Sequence, residues 1–99
     1  MSPKLQQAVQ DNEYFDPKEF PDGRVACLMG LLYTCAIIVL SEKNCEHSYD
    51  DRWCYCSPEK AKLALAAWDG MGEPTGWHRH PTTGRRRENG DPTKETINH

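Results

Sequence analysis

Sixteen consecutive residues, positions 25–40, carry no charge in a chain of 99 residues in which 27% of the side chains are charged. Such a run has to be sheltered, either in lipid or inside a core. A membrane-spanning helix needs roughly 20 apolar residues. This run is shorter and contains Gly30, Tyr33 and Thr34. Its second half, Thr34-Cys35-Ala36-Ile37-Ile38-Val39, is rich in β-branched side chains, which suit a buried strand. The run therefore reads as a core strand from about Val25 or Gly30 to Leu40, with no membrane segment.

Ser41-Glu42-Lys43-Asn44 reads as a tight turn, because Asn44 tolerates a left-handed backbone. A second strand from about Cys45 to Cys56 would put Tyr49, Trp53 and Tyr55 on an inward face. A helix follows. Ser57 suits the N-cap, Pro58 the first helical position, and Glu59 complements the helix dipole. Ala61, Ala64, Leu65 and Trp68 fall at i, i+3, i+4 and i+7, giving one apolar stripe, and Gly70 is the stop signal.

The predicted fold class is α+β: a small antiparallel hairpin or sheet with one packed helix over residues 24–72. It would be flanked by a loosely structured acidic arm, residues 1–23, with room for a helical turn or two over Lys4 to Gln10, and a polar tail, residues 73–99, with a basic segment at 77–87. Residues 1–22 hold two basic against five acidic groups, and 77–99 hold five basic against three. Pro17 and Pro21-Asp22-Gly23 break the arm. The foldable part then has fewer than 50 residues, and one helix covers only one face of an all-apolar strand. A homodimer or another partner would cover the second face.

Arg52-Trp53-Cys54-Tyr55, Leu65-Ala66-Ala67-Trp68-Asp69-Gly70, Gly76-Trp77-His78-Arg79-His80-Pro81 and Thr83-Gly84-Arg85-Arg86-Arg87 together resemble a set of short proteins of tailed phages and proteobacterial prophages. The resemblance covers roughly residues 28–87. It implies a phage or prophage origin and a host-cytoplasmic location, and it supplies no catalytic residues. The five cysteines point the same way: an odd number, preceded by a polar and acidic segment, reads as reduced thiols.

Three constellations could carry function. Arg79, Arg85, Arg86 and Arg87 could pair with phosphates, Trp77 could stack on a base, and His78 and His80 would add charge below about pH 6.5. The plainer alternative is a solvated basic tail with Trp77 folded back near Trp68. Cys45, His47, Cys54 and Cys56 form two pairs that could converge on zinc if the hairpin turned at residues 48–51. A turn at 41–44 would instead leave the pairs roughly 30 Å apart on one strand, as half-buried thiols. Asp11, Glu13, Asp16, Glu19 and Asp22 could occupy a partner's basic groove, or simply keep the arm soluble.

Cys45 and His47 lie near Asp50 and Asp51, but nothing in their spacing forces a nucleophile–base geometry. Neither nucleotide-binding glycine fingerprint is present. The expectation is a non-enzymatic accessory protein that binds a host macromolecule, a nucleic acid or nucleoprotein, through the arginine-rich segment. The alternatives are a protein-binding inhibitor or modulator of a host restriction or CRISPR complex, and a small zinc module. No cofactor other than that zinc is implied.

Overall fold

The computed structural model describes residues 1–31 and 34–77. Six elements follow one another: α1 (Pro3–Asp11), β1 (Phe15–Glu19), β2 (Val25–Gly30), β3 (Cys35–Leu40), β4 (Asp51–Tyr55) and α2 (Pro58–Ala67). The strands form one antiparallel sheet in the order β1-β2-β3-β4. The α+β class expected from the sequence is the observed one.

The uncharged run is two strands rather than one. Val25 pairs with Leu40 and Gly30 with Cys35, in unbroken register. The reversal between them is closed by a hydrogen bond from the Leu31 N–H to the Thr34 carbonyl, 2.9 Å. Both strands are central, so residues on both faces need cover, and the period-two signal disappears from the sequence. Ala26, Leu28, Cys35, Ile37 and Val39 pack with Trp53 and Tyr55 beneath α2. Val25, Cys27, Ile38 and Leu40 face the other way, beneath Leu5, Ala8 and Val9 of α1. The second face is therefore covered by the chain's own first helix. The reason given above for a homodimer, an uncovered strand face, does not hold.

The segment expected as a loose acidic arm thus contains a helix and a strand. Leu5, Ala8 and Val9 recur at i, i+3 and i+4 and are the buried residues of α1. Ser2 caps the helix, accepting from the Leu5 N–H at 3.3 Å, and Pro3 occupies its first turn. The helix closes with the Glu13 N–H on Gln10 O (3.2 Å) and the Tyr14 N–H on Val9 O (3.0 Å). That is a Schellman motif, with Glu13 left-handed at φ 57°. Two ion pairs tie α1 down, from the Met1 ammonium to Glu19 and from Lys4 to Glu46.

β1 is an edge strand. Phe15 pairs with Leu28 and Lys18 with Ala26, so one extra residue bulges out between them. Asp16 in that bulge has φ 54°, and Pro17 follows it. A bulge, a proline and charged side chains discourage pairing with a further strand.

The second strand begins later than expected. Residues 41–48 wind through turns, with the Cys45 N–H on Ser41 O (2.9 Å) and the Ser48 N–H on Asn44 O (3.0 Å). Only Asp51–Tyr55 joins the sheet. Trp53 and Tyr55 point inward as expected, whereas Tyr49 packs against the α1-side cluster.

α2 follows its sequence signals. Ser57 accepts from the Lys60 N–H at 3.3 Å, and Ala61 and Leu65 are buried. Its C-terminal end is capped from a distance. The Lys18 ammonium, on β1, donates to Leu65 O (2.9 Å), Ala66 O (3.1 Å) and Trp68 O (2.5 Å). A cation among unsatisfied carbonyls offsets the negative end of the helix dipole. Lys18→Met keeps the stem and removes those donors, so it should lower the unfolding free energy by about 1–2 kcal/mol. Urea denaturation followed by tryptophan fluorescence measures this, and an unchanged midpoint would show that water replaces the ammonium without loss.

Candidate functional site

Two places on this scaffold gather the sequence's candidate residues. The first is the chain leaving α2. Gly70 turns it at φ +88°, the Asp69 carboxylate accepts from the Met71 N–H at 2.9 Å, and the Trp68 indole donates to Met71 O at 3.2 Å. The chain then returns across the sheet. Glu73 accepts from the Trp53 indole at 3.0 Å, and the Tyr55 hydroxyl donates to Thr75 O at 2.9 Å. Burial, then the nearby Glu73 carboxylate, push the Tyr55 phenol above its usual range.

Trp77 ends this path. It is 1% exposed and packs in the cluster that holds Trp53 and Trp68. The plainer of the two expectations for Trp77 is the observed one, and its ring is not at the surface to stack on a base. His78, Arg79, His80, Arg85, Arg86 and Arg87 lie outside the described residues. The basic segment therefore begins directly after a buried anchor.

The second place is a cleft of about 210 Å³ between the end of α1 and residues 45–49. Asn12, Tyr14, Cys45, Glu46, His47 and Tyr49 line it. Here Cys45 and His47 do share a surface. Cys45 is buried at 6% exposure with its thiol toward Glu42 O at 3.8 Å, whereas His47 is exposed. The cleft is smaller than the roughly 300–1,000 Å³ of ordinary ligand pockets. Burial raises the Tyr14 phenol's pKa, with smaller contributions from Cys27 and Tyr49.

The four zinc candidates do not come together. Cys45 sits in the loop after β3, Cys54 is buried on β4, and Cys56 is half-buried just before α2. Among the described residues no three His, Cys, Asp or Glu side chains gather where they could hold a metal ion. Burial also pushes the Cys27 thiol up to about 12, and it raises that of Cys35. These thiols are uncharged at neutral pH and poor nucleophiles. Brief alkylation of the native protein should modify Cys56 first, with five labels appearing only after denaturation. Intact-mass spectrometry reads the count, and rapid labelling of Cys27 in the native state would contradict the packing.

Sequence reasoning missed two features. One is the Lys18 cap, which depends on a contact 47 or more residues away. The other is the outer face of α2, where Leu63 is 73% exposed. The signal for the second was present, since Leu63 lies off the buried Ala61–Leu65 stripe. No family model matches the chain, nor does any curated protein or solved structure. Among the described residues no helix is long and apolar enough to cross a membrane.

Proposed function

We propose that the chain is a non-enzymatic accessory protein of phage or prophage type. It acts in the host cytoplasm, where its compact unit presents the arginine-rich segment, residues 78–87, to a nucleic acid or nucleoprotein. The observation that carries this reading is the burial of Trp77 at the start of that segment. A buried indole, preceded by Thr75 held on the Tyr55 hydroxyl, gives the segment a fixed root, which lowers the ordering cost of binding. The body contributes little positive charge of its own. Residues 1–77 hold 7 basic against 12 acidic groups, and Lys18 and Arg24 donate to backbone carbonyls at the end of α2. Arg79, Arg85, Arg86 and Arg87 are then the phosphate-pairing groups, and Trp77 is their anchor.

The test is a salt titration of binding to a single-stranded and a double-stranded oligonucleotide. Affinity carried by phosphates falls linearly on log–log axes. Replacing Arg85, Arg86 and Arg87 by alanine should shrink that slope by about three, because each phosphate contact contributes roughly one counterion. An unchanged slope, or no binding by the wild type at low salt, removes the reading.

A second reading, a modulator that docks on a basic host protein, is favoured by a different observation. Asp11, Glu13, Asp16, Glu19 and Asp22 are all exposed, and they lie along α1 and β1 and the turns beside them. Three of them are engaged within the chain, Asp11 by the Gln7 side-chain amide, Glu19 by the Met1 ammonium and Asp22 by Arg24. Glu13 and Asp16 remain as the outward charges of that edge.

A further inference from the structure

We infer that the partner of the arginine-rich segment is a nucleic-acid duplex rather than a single strand, which rests on the nucleic-acid reading given above. Capture of a single strand without regard to sequence combines two things in one place: a positive track for the backbone and aromatic faces on which bases stack. Stacking is worth about 1–3 kcal/mol per base, so a strand held by charge alone is held weakly. A duplex asks only for charge. Its bases are already stacked, and its two backbones present one phosphate per roughly 1.7 Å of axis.

This chain keeps its aromatic rings apart from its positive charge. Its three tryptophans, Trp53, Trp68 and Trp77, are 3%, 5% and 1% exposed in one cluster beneath α2. Phe20 and Tyr55 are buried with them. Residues 78–99 contain no phenylalanine, tyrosine or tryptophan. The half-buried Tyr14 and Tyr49 belong to the α1-side cluster, across the sheet from Trp77. They line the cleft that also holds Glu46, and the exposed Glu13 and Asp50 adjoin them in the chain. Phe15 is half-buried on β1, where Asp16 and Glu19 are exposed. Each half-buried ring thus stands beside carboxylates, which repel the phosphates of a strand laid across it.

The 7 basic and 12 acidic groups of residues 1–77 give that part a net charge of −5, so contact is left to Arg79, Arg85, Arg86 and Arg87. A run of ten residues, 78–87, reaches at most about 35 Å from its root. Repulsion between exposed charges is screened beyond roughly 10 Å, so the segment can hold a duplex clear of the acidic surface. Four phosphate contacts give a log–log salt slope of about 3.6 on a duplex and about 2.8 on a single strand.

Fluorescence anisotropy tests this, with the full chain and end-labelled DNA of about 20 nucleotides, single-stranded and as the duplex, in about 50 mM salt. The duplex should bind at least about tenfold more tightly than the single strand of the same sequence. The same order is expected for an RNA pair run in parallel. Emission from the three tryptophans should stay unchanged as the complex forms, since none of the indoles reaches a base. A single strand of either chemistry bound as tightly as its duplex, or tryptophan quenching on binding, overturns the inference and leaves the arginine contact standing. Binding to none of the four removes the contact itself, and the inference with it.

Discussion

Gly70→Ala is expected to lower the unfolding free energy by about 3 kcal/mol, the sum of backbone strain and overpacking. Gly70 has φ +88°, a region that L side chains rarely enter. An added methyl group there would also lie 2.7–2.9 Å from three atoms of the Phe20 ring. That ring cannot easily retreat. It meets Trp68 edge-on at 5.3 Å, Trp68 meets Trp53 edge-on at 5.3 Å, and the Arg24 guanidinium lies 5.5 Å from its centroid. Gly23 is the natural control, since it has φ +93° with nothing within 4 Å of an added methyl. Gly23→Ala should therefore cost only the strain, about 1 kcal/mol. Paired urea denaturations measure both losses. The Gly70 penalty should shrink when Phe20 is also replaced by leucine. Equal losses at the two glycines would mean that close approach of Phe20 contributes nothing.

The sequence was most legible where its signals are local. α2 could be read because Ser57, Pro58, Glu59 and the Ala61–Leu65–Trp68 stripe act within one or two turns. The hairpin β2–β3 merged into a single strand because burial on both faces removes the alternation that would separate them. Nor is there a proline or an Asn-Gly pair at residues 31–34 to mark the reversal. The N-terminal segment is legible only in part, as a helical turn or two without its packing or its strand, for a different reason. Its Ser2-Pro3 start repeats the Ser57-Pro58 signal, and Leu5, Ala8 and Val9 form a stripe. Net acidity and two prolines outweighed those three apolar side chains, because their value depends on a partner face that only the folded sheet supplies. Trp77 was ambiguous for the same reason. A tryptophan beside arginines suits a base or a core, and the hydrogen bonds that draw residues 73–77 onto the sheet come from Trp53 and Tyr55, about 20 residues earlier in the chain.

The central claim is that a single copy of the chain closes both faces of its own central strands, with α1 as the cover for Val25, Cys27, Ile38 and Leu40. That claim changes what a binding role can use, since neither sheet face is open to a partner. It is tested most directly at Leu5, which is 2% exposed at the centre of the α1-side cluster. Leu5→Asp removes a core side chain and places a carboxylate against the sheet, and should cost about 3–5 kcal/mol. That is a large share of the roughly 5–15 kcal/mol available to a small domain. Denaturant unfolding followed at the tryptophans, which all lie on the opposite face, reads the loss through the sheet. The account predicts one cooperative transition at a much lower midpoint, or no folded state at all. A Leu5→Asp protein that unfolds at the wild-type midpoint would mean that α1 covers nothing, and would contradict the account.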